Sequence, residues 1–516
     1  MKRRDFIANS LAASVLPVFL NGFSLSGLGS LGINDPLDDK VLVVIQLSGG
    51  NDGLNTVIPV SSYAGYRNAR TNIAIPENKL IKIPQSDKIG LHPSMGAFSE
   101  MFKNGQATLI HDVGYPNPDF SHFRSTDIWN TASASDKVIS SGWVGRYMAD
   151  LHPGYPVNYP SELYPDPLAI QIGAISNLAF QSTVHSMGMS ISDPSKFYDL
   201  IENKVEDVPD TLAGKELGYL RRVASQTNQY SEVIKAASAK VTQQKTYPND
   251  KLSAQLKIVA RLIAGGLRTQ VYYVNLGGFD THSGQTDQGD PTVGVHATLL
   301  KNLSESISVF YADLKALGVA KKVTGMTFSE FGRRIKSNAS NGTDHGSSAP
   351  MFVFGDNVNP VVIGKPYDIP SNLSAADNVP MQYDFRSVYG TILQNWFCFP
   401  SENTGNVLFN NFQNLPIFKS GACGAVLTEE NGVNPDFKNY PNPFQAQTNF
   451  EFNSVGGNCM IQVFDMMGRE LKVALNGTFE PGLYVKPVDL SYLSTGVYVA
   501  RFQNQQNQSV IRIVKA

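Results

Sequence analysis

Six residues far apart in the chain carry side chains suited to one kind of chemistry: Asp52, Asp280, His282, Glu330, Asp344 and His345. Carboxylates and imidazoles bind divalent ions of the zinc or manganese type. Several carboxylates gathered in one place repel one another unless a cation or a proton separates them. Asp52 lies in Ser48-Gly49-Gly50-Asn51-Asp52-Gly53, where an Asn-Asp-Gly tight turn is the plain alternative. Asp280 and His282 close the run Gly278-Phe279-Asp280-Thr281-His282. In extended chain, residues i and i+2 point to the same side, so this pair can meet one ion unless Asp280 only caps the turn. Asp344 and His345 share the glycine-bounded loop Thr343-Asp344-His345-Gly346, where both can turn inward or stand as a turn aspartate beside a surface histidine. One or two ions are expected. His296 is a weaker candidate, explained equally well as a helix-start residue.

A nucleophile is offered by Asp119-Phe120-Ser121-His122-Phe123-Arg124-Ser125. A serine at a helix N-terminus near a metal has its alkoxide favoured by both the ion and the helix dipole. A plain N-cap serine accounts for Ser121 equally well. Arg124 could hold an oxyanion, as could Arg333 or Arg334, and simple ion pairing explains all three. His92, His111, His152 and His185 have no partners nearby in sequence and read as structural. Cys398-Phe399-Pro400-Ser401 faintly resembles the modified-cysteine motif of sulfatases, but Glu402 stands where arginine is needed. That match is read as chance.

The elements that must position these residues alternate between strand and helix. Lys40–Leu47 is a continuous apolar, β-branched run, as expected of a strand buried on both faces of a parallel sheet. Ala107–Val113, Gln270–Leu276, Lys322–Phe328 and Met351–Phe354 repeat the pattern. Leu299, Leu300, Leu303, Ile307, Phe310, Leu314 and Leu317 recur at helical spacing, and Leu252, Leu256, Val259, Leu262 and Ile263 mark an earlier helix. Strand and helix in alternation imply a doubly wound α/β sheet, mostly parallel, with helices on both faces. Ligands of such sheets collect beyond the carboxyl ends of the strands. That is where Asp52, Asp280, His282 and Glu330 fall, with Asp344 and His345 in the loop immediately after.

The chain has 516 residues, enough for one large domain with an appendage. A hydrophobic fraction of 42% with 17% charged residues describes a globular protein, and a net charge of −2 favours no nucleic-acid partner. Cys398, Cys423 and Cys459 are too few for a disulfide scaffold or a cysteine-rich zinc module. A Cys398–Cys423 bridge and two free thiols are equally compatible with that count. Past the first thirty residues no apolar run reaches membrane-spanning length, so no membrane span is expected in the mature chain.

Residues 1–33 read as an export signal: Lys2-Arg3-Arg4-Asp5-Phe6-Ile7 precedes a small-residue apolar run from Ala8 to Phe23. The Arg-Arg pair resembles a twin-arginine signal, with an ordinary secretory signal as the alternative. The last 80 residues hold short β-type runs between turn residues, which indicates a small β-sandwich over 439–516 after a linker at 424–438. This tail resembles the C-terminal sorting domain of the type IX secretion system of Bacteroidetes. The matching blocks are Tyr440-Pro441-Asn442-Pro443-Phe444, Val463 to Arg469, Leu490 to Tyr498, and Ile513-Val514-Lys515. The resemblance implies the type IX machinery as partner and export through periplasm and outer membrane to the cell surface or medium.

Residues 40–423 form the α/β domain. Within them the order of motifs resembles a bacterial family catalogued as domain of unknown function 1501. The carriers are Leu47 to Gly53, Leu91-His92-Pro93, Ser121 to Ser125, Gly278 to His282, Phe328 to Arg334 and Gly342 to Gly346. That family is similar to the alkaline phosphatase and sulfatase superfamily. The resemblance implies an alkaline-phosphatase-like fold and a metal-dependent hydrolase of phosphate or sulfate esters. It puts Asp52, Asp344 and His345 at one ion, Ser121 as nucleophile, and Asp280 with His282 at a second ion. One feature departs from the superfamily: no histidine follows His345. The implied substrate is a small or polymeric anionic ester. The alternative function is a catalytically inactive surface binding protein that retains the fold.

Overall fold

The computed structural model describes residues 40–419 and 437–515, apart from 154, 157–158, 162–163, 174–176, 193–228, 465–469 and 505–507. The export signal at 1–33 and most of the linker at 424–438 lie outside the described residues. Their contacts divide the described residues into two units, 40–419 and 437–515.

Val41–Ser48 (β1) shows why the first unit is layered. Its side chains alternate, Val41, Val43, Ile45 and Leu47 entering one apolar core and Leu42 and Val44 entering another. A strand buried on both faces needs helices on both faces, and the chain supplies them. The first core receives the helices Gly96–Lys103, Lys251–Ala264 and Val295–Ala316, through residues such as Phe98, Leu256, Leu300 and Phe310. The second receives His122–Thr131, Trp143–Leu151 and Phe385–Thr391, through Trp129, Tyr147 and Tyr389.

The other main-sheet strands, in chain order, are Ala107–Gly114 (β2), Ala169–Ile172 (β3), Gly188–Ile191 (β4), Val271–Gly277 (β5), Val323–Phe328 (β6), Ala349–Phe354 (β7), Val362–Ile363 (β8) and Tyr383–Asp384 (β9). Their order is β8-β2-β7-β6-β1-β5-β3-β4, with β9 also pairing with β2. Every pair is parallel except those made by β7, which runs antiparallel to both β2 and β6. β2 therefore runs the same way as β1, β5 and β6, and all four have their carboxyl ends on one side of the sheet. The mostly parallel, doubly wound sheet expected from the alternation is the observed fold. Cys398 is disulfide-bonded. Cys423, the partner considered from the sequence, lies outside the described residues.

The second unit is all β. It holds Phe437–Tyr440 (β10), Gln447–Ser454 (β11), Gly457–Phe464 (β12), Glu470–Phe479 (β13), Gly482–Asp489 (β14), Gly496–Gln503 (β15) and Gln508–Lys515 (β16). They form two antiparallel sheets, β10-β11-β14 and β13-β12-β15-β16. Between the sheets lie Phe437, Phe450, Phe452, Ile461, Val463, Phe502 and Ile513, with Cys459 as a buried free thiol. The expected linker runs to Lys438, whereas β10 starts at Phe437. The ring of Phe437 stacks on Phe450 and Phe502 at 5.6 and 5.3 Å, and this burial draws the chain into the sandwich two residues early. Among the described residues no helix is long and apolar enough to cross a membrane.

Candidate metal centre

The four aligned carboxyl ends deliver loops to one place. Gly49 follows β1, His122 follows β2, Asp280 and His282 follow β5, and Glu330 follows β6, while Asp344 and His345 lie on the way into β7. Gly49 lets two of these loops touch. Its φ is +121°, and a Cβ there would stand 2.3 Å from the Asp280 backbone nitrogen, so no other residue fits without displacing the chain. Arg333, buried at 1% exposure, then fastens the loops together. Its guanidinium donates to the carbonyls of Gly49, Gly50, Phe279 and Thr343 and to Asp280 Oδ1 at 2.8 Å.

Three imidazoles converge on the Asp280 carboxylate. His282 Nε2 and His345 Nε2 each lie 3.2 Å from Oδ1, and His122 Nε2 lies 3.4 Å from Oδ2. His282 Nε2 and His345 Nε2 are 2.9 Å apart. The opposite nitrogen of every ring is anchored by an acceptor. His122 Nδ1 meets Glu330 Oε1 at 2.9 Å, His282 Nδ1 meets Asp344 Oδ1 at 3.2 Å, and His345 Nδ1 meets the Phe120 carbonyl at 2.7 Å. Carboxylates and carbonyls only accept, so each Nδ1 is placed to carry the ring proton, which frees the Nε2 lone pair for an ion. Carboxylate- or carbonyl-anchored histidines of this kind are the usual outer layer of a metal site, fixing tautomer and ring orientation.

The spacing suits an ion. A tetrahedral ion with bonds of about 2.1 Å separates its ligand atoms by ~3.4 Å, and His122, Asp280 and His345 each offer a ligand atom within 4.8 Å of the others. Phe331 lies 4.9 Å from the His122 ring and 4.5 Å from the His345 ring, walling one side. The site is open to solvent, with the Asp280 side chain 48% exposed. Partial burial opposes ionisation of Asp280, but the hydrogen bond and charge of the Arg333 guanidinium outweigh it and hold its pKa down to about 2. Burial lowers the pKa of His345 and keeps its ring neutral, as a ligand must be. Burial works against Asp344 too, and the hydrogen bonds from Asn338 and His282 overcome it, so its carboxylate stays ionised.

The residues expected from sequence take three different positions. Asp280, His282 and His345 meet at the centre. Asp344 and Glu330 stand behind it, each holding an imidazole by Nδ1, and Glu330 Oε1 also accepts from the Gly49 amide at 2.7 Å. Asp52 is not brought to the cluster. It is fully buried, its Oδ2 held by Arg70 Nη1 and by Gln285 Nε2, both at 2.5 Å. Burial alone would raise its pKa, but the charge and hydrogen bond of Arg70 prevail and lower it.

The arginines considered for an anion-holding role all donate to backbone carbonyls. Arg124 donates from Nη2 to the carbonyls of Ala134, Ser135 and Lys137, because the chain after its helix folds back over it. Arg333 is the loop clamp, and Arg334 donates to the carbonyls of His345 and Ala375. Ser121 is exposed and caps the helix His122–Thr131, its Oγ accepting from the Arg124 amide at 3.5 Å. It sits between Phe120, which anchors His345, and His122, which faces Asp280. His296 is buried, with Nε2 on Asn51 Oδ1 at 3.0 Å. His122 itself was not among the expected ligands. Its signal was present: a histidine at a helix start just past a strand, on the same end of the sheet as the others.

Residues 438–516 match the family model of the secretion system C-terminal sorting domain. The chain is an exported protein. Its sorting tail implies the type IX secretion machinery and delivery to the cell surface or the medium. Residues 206–402 of the exported protein match a family described as protein of unknown function DUF1501, a stretch that holds Asp280, His282, Glu330, Asp344 and His345. No curated protein matches the chain. Among solved structures it is similar to a protein in the alkaline phosphatase superfamily from Vibrio parahaemolyticus, with 9% identity, 87% of this chain and 82% of that chain covered, and a TM-score of 0.31. It is similar to a sulfatase from Pseudoalteromonas sp. at 10% identity, covering 90% and 86%, with a TM-score of 0.31. A Bacteroides thetaiotaomicron structure from a study of glycosaminoglycan metabolism is 11% identical over 92% and 89%, with a TM-score of 0.32.

Proposed function

We propose that this exported protein is a metal-dependent hydrolase of phosphate or sulfate esters, with the ion held by His122, Asp280, His282 and His345. The observation that carries the reading is the convergence of three Nδ1-anchored imidazoles on one carboxylate at the sheet's carboxyl end. An ion of the zinc or manganese type, when bound there, supplies Lewis-acid polarisation of an ester oxygen. Glu330 and Asp344 keep the imidazole Nδ1 protons in place, so the Nε2 lone pairs stay turned inward. Ser121 is the nucleophile: its hydroxyl is exposed at a helix N-terminus next to His122, where the helix dipole favours an alkoxide. Export by the twin-arginine route belongs to the same proposal, since a metalloenzyme loaded before export must cross the inner membrane folded.

One observation favours a second reading, a surface binding protein without catalysis. Arg124, Arg333 and Arg334 all donate to backbone carbonyls, and Arg333 to Asp280 as well, so these cations are already engaged before a transferred anion arrives. Turnover of aryl phosphates and aryl sulfates by purified protein separates the two. The hydrolase reading expects activity that needs added zinc or manganese and falls at least about 100-fold in His345→Ala and in Ser121→Ala. Metal-independent turnover, or none across both ester classes with the metal loaded, contradicts it.

A further inference from the structure

We infer that Arg70 takes the place of a second cation at Asp52, so that the protein holds a single ion, at the histidine centre. The inference rests on the proposed metal reading and deepens it by fixing the number of ions and the residue that excludes another. Asp52 sits at the end of β1 among the site loops, where an unpaired carboxylate would call for a counter-ion. Arg70 follows the helix Tyr63–Ala69 and reaches it with no exposure on either side chain.

Arg70 is fully committed to this position. Besides Asp52 Oδ2, its Nη1 donates to Asn55 Oδ1 at 2.9 Å, its Nε to the Ile335 carbonyl at 2.9 Å and its Nη2 to the Arg334 carbonyl at 2.8 Å. Asn55 is held in turn by the Tyr66 hydroxyl, which donates to the same Oδ1 at 2.8 Å. Gln285 Nε2 closes the other approach to Asp52 Oδ2, while Gln285 Oε1 accepts from Thr281 and Thr343. Two buried acceptors nearby, Asp52 Oδ1 and His296 Nδ1, have no protein donor, and the buried donor Asn51 Nδ2 has no protein acceptor. Those atoms alone would suit either a water or a cation. Charge decides between them. The Asp52–Arg70 pair is already neutral, and a divalent ion added there would leave two uncompensated charges away from solvent, which is strongly disfavoured. A water, donating to the two acceptors and accepting from Asn51, leaves the charge balanced.

The test is the number of ions per chain, measured by elemental analysis after zinc loading and dialysis of the full mature chain. Wild type is expected to carry one, Asp52→Asn one, and His345→Ala none. Should Asp52→Asn fail to fold, the double variant Asp52→Leu with Arg70→Met removes both charges together, a change that buried ion pairs often tolerate. It too is expected to keep one ion, with folding checked by near-ultraviolet circular dichroism. Two ions in wild type, or loss of the ion from a folded Asp52 variant, overturns the inference and leaves the histidine centre standing if His345→Ala also loses metal. No ion in wild type overturns both readings together.

Discussion

His282 and His345 face each other through their Nε2 atoms at 2.9 Å, while the Nδ1 of each is held by an acceptor. With both Nδ1 atoms protonated the two Nε2 lone pairs repel, and a positive centre between them and the Asp280 carboxylate makes the contact favourable. The relationship joins the loop after β5 to the loop before β7, so whatever bridges the rings also fastens these loops.

Binding of an ion should therefore appear as stability. Chelation with EDTA is expected to lower the melting temperature by a few degrees, and one equivalent of zinc or manganese to restore it. At a hundredfold excess over the dissociation constant the gain is about 2.7 kcal/mol. A melting temperature indifferent to chelator and metal would argue against a bridging cation.

The carboxylates behind the rings are expected to tune affinity without touching the ion. Asp344→Asn and Glu330→Gln each remove the charge that anchors an imidazole Nδ1 and should weaken metal binding roughly 10–100-fold. Isothermal titration with zinc reads this directly. Unchanged affinity in both variants would mean that ring orientation does not depend on them.

Arg333→Ala should be among the most damaging single changes in the first unit. It leaves buried carbonyls of three loops without donors and removes the partner of Asp280. A loss of at least about 3 kcal/mol in urea unfolding is expected. Arg333→Lys should rescue little of it, because a compact ammonium cannot span the same acceptors.

Acid should destabilise the fold before ordinary, exposed carboxylates titrate. Burial lowers the pKa of His92 to about 3 and of His111, His152 and His296 to about 4. Between pH 5.5 and 4.5, a window set roughly by these values and an ordinary histidine pKa of about 6.5, the unfolded chain binds these four protons and the folded chain does not. Asp112 acts in the opposite sense: burial raises it to about 7, so it is protonated only in the folded chain across that window. The net uptake of about three protons on unfolding makes stability fall by about 4 kcal/mol per pH unit as pH drops. Denaturant titrations at several pH values check it; a flat profile from pH 6.5 to 4.5 would mean that these histidines are not held neutral by burial.

Much of the layout was legible because it follows from local rules. The unbroken apolar run of β1, the three-and-four spacing from Leu300 to Leu314 and the turn residues beyond each strand specify a parallel sheet with its loops on one side. That geometry in turn brings Asp280, His282 and His345 together. Sequence could not show which carboxylates touch the ion and which stand behind it, because Asp344 differs from Asp280 only in where its loop turns. Asp52 parts from the other site residues for a related reason. Its position past β1 matches that of the other site residues, but its charge is met by Arg70, from a helix whose packing under the loop is a tertiary event. His122 is hard to pick out because it lies between Ser121 and Arg124, whose chemistry is more conspicuous in the sequence.

The most direct measurement is anomalous diffraction from crystals of the mature protein grown with zinc or manganese. The account expects one strong peak about 2.0–2.2 Å from the Nε2 atoms of His122, His282 and His345 and from an Asp280 oxygen. A peak bonded to Asp52 instead, or none among the three histidines, would contradict it.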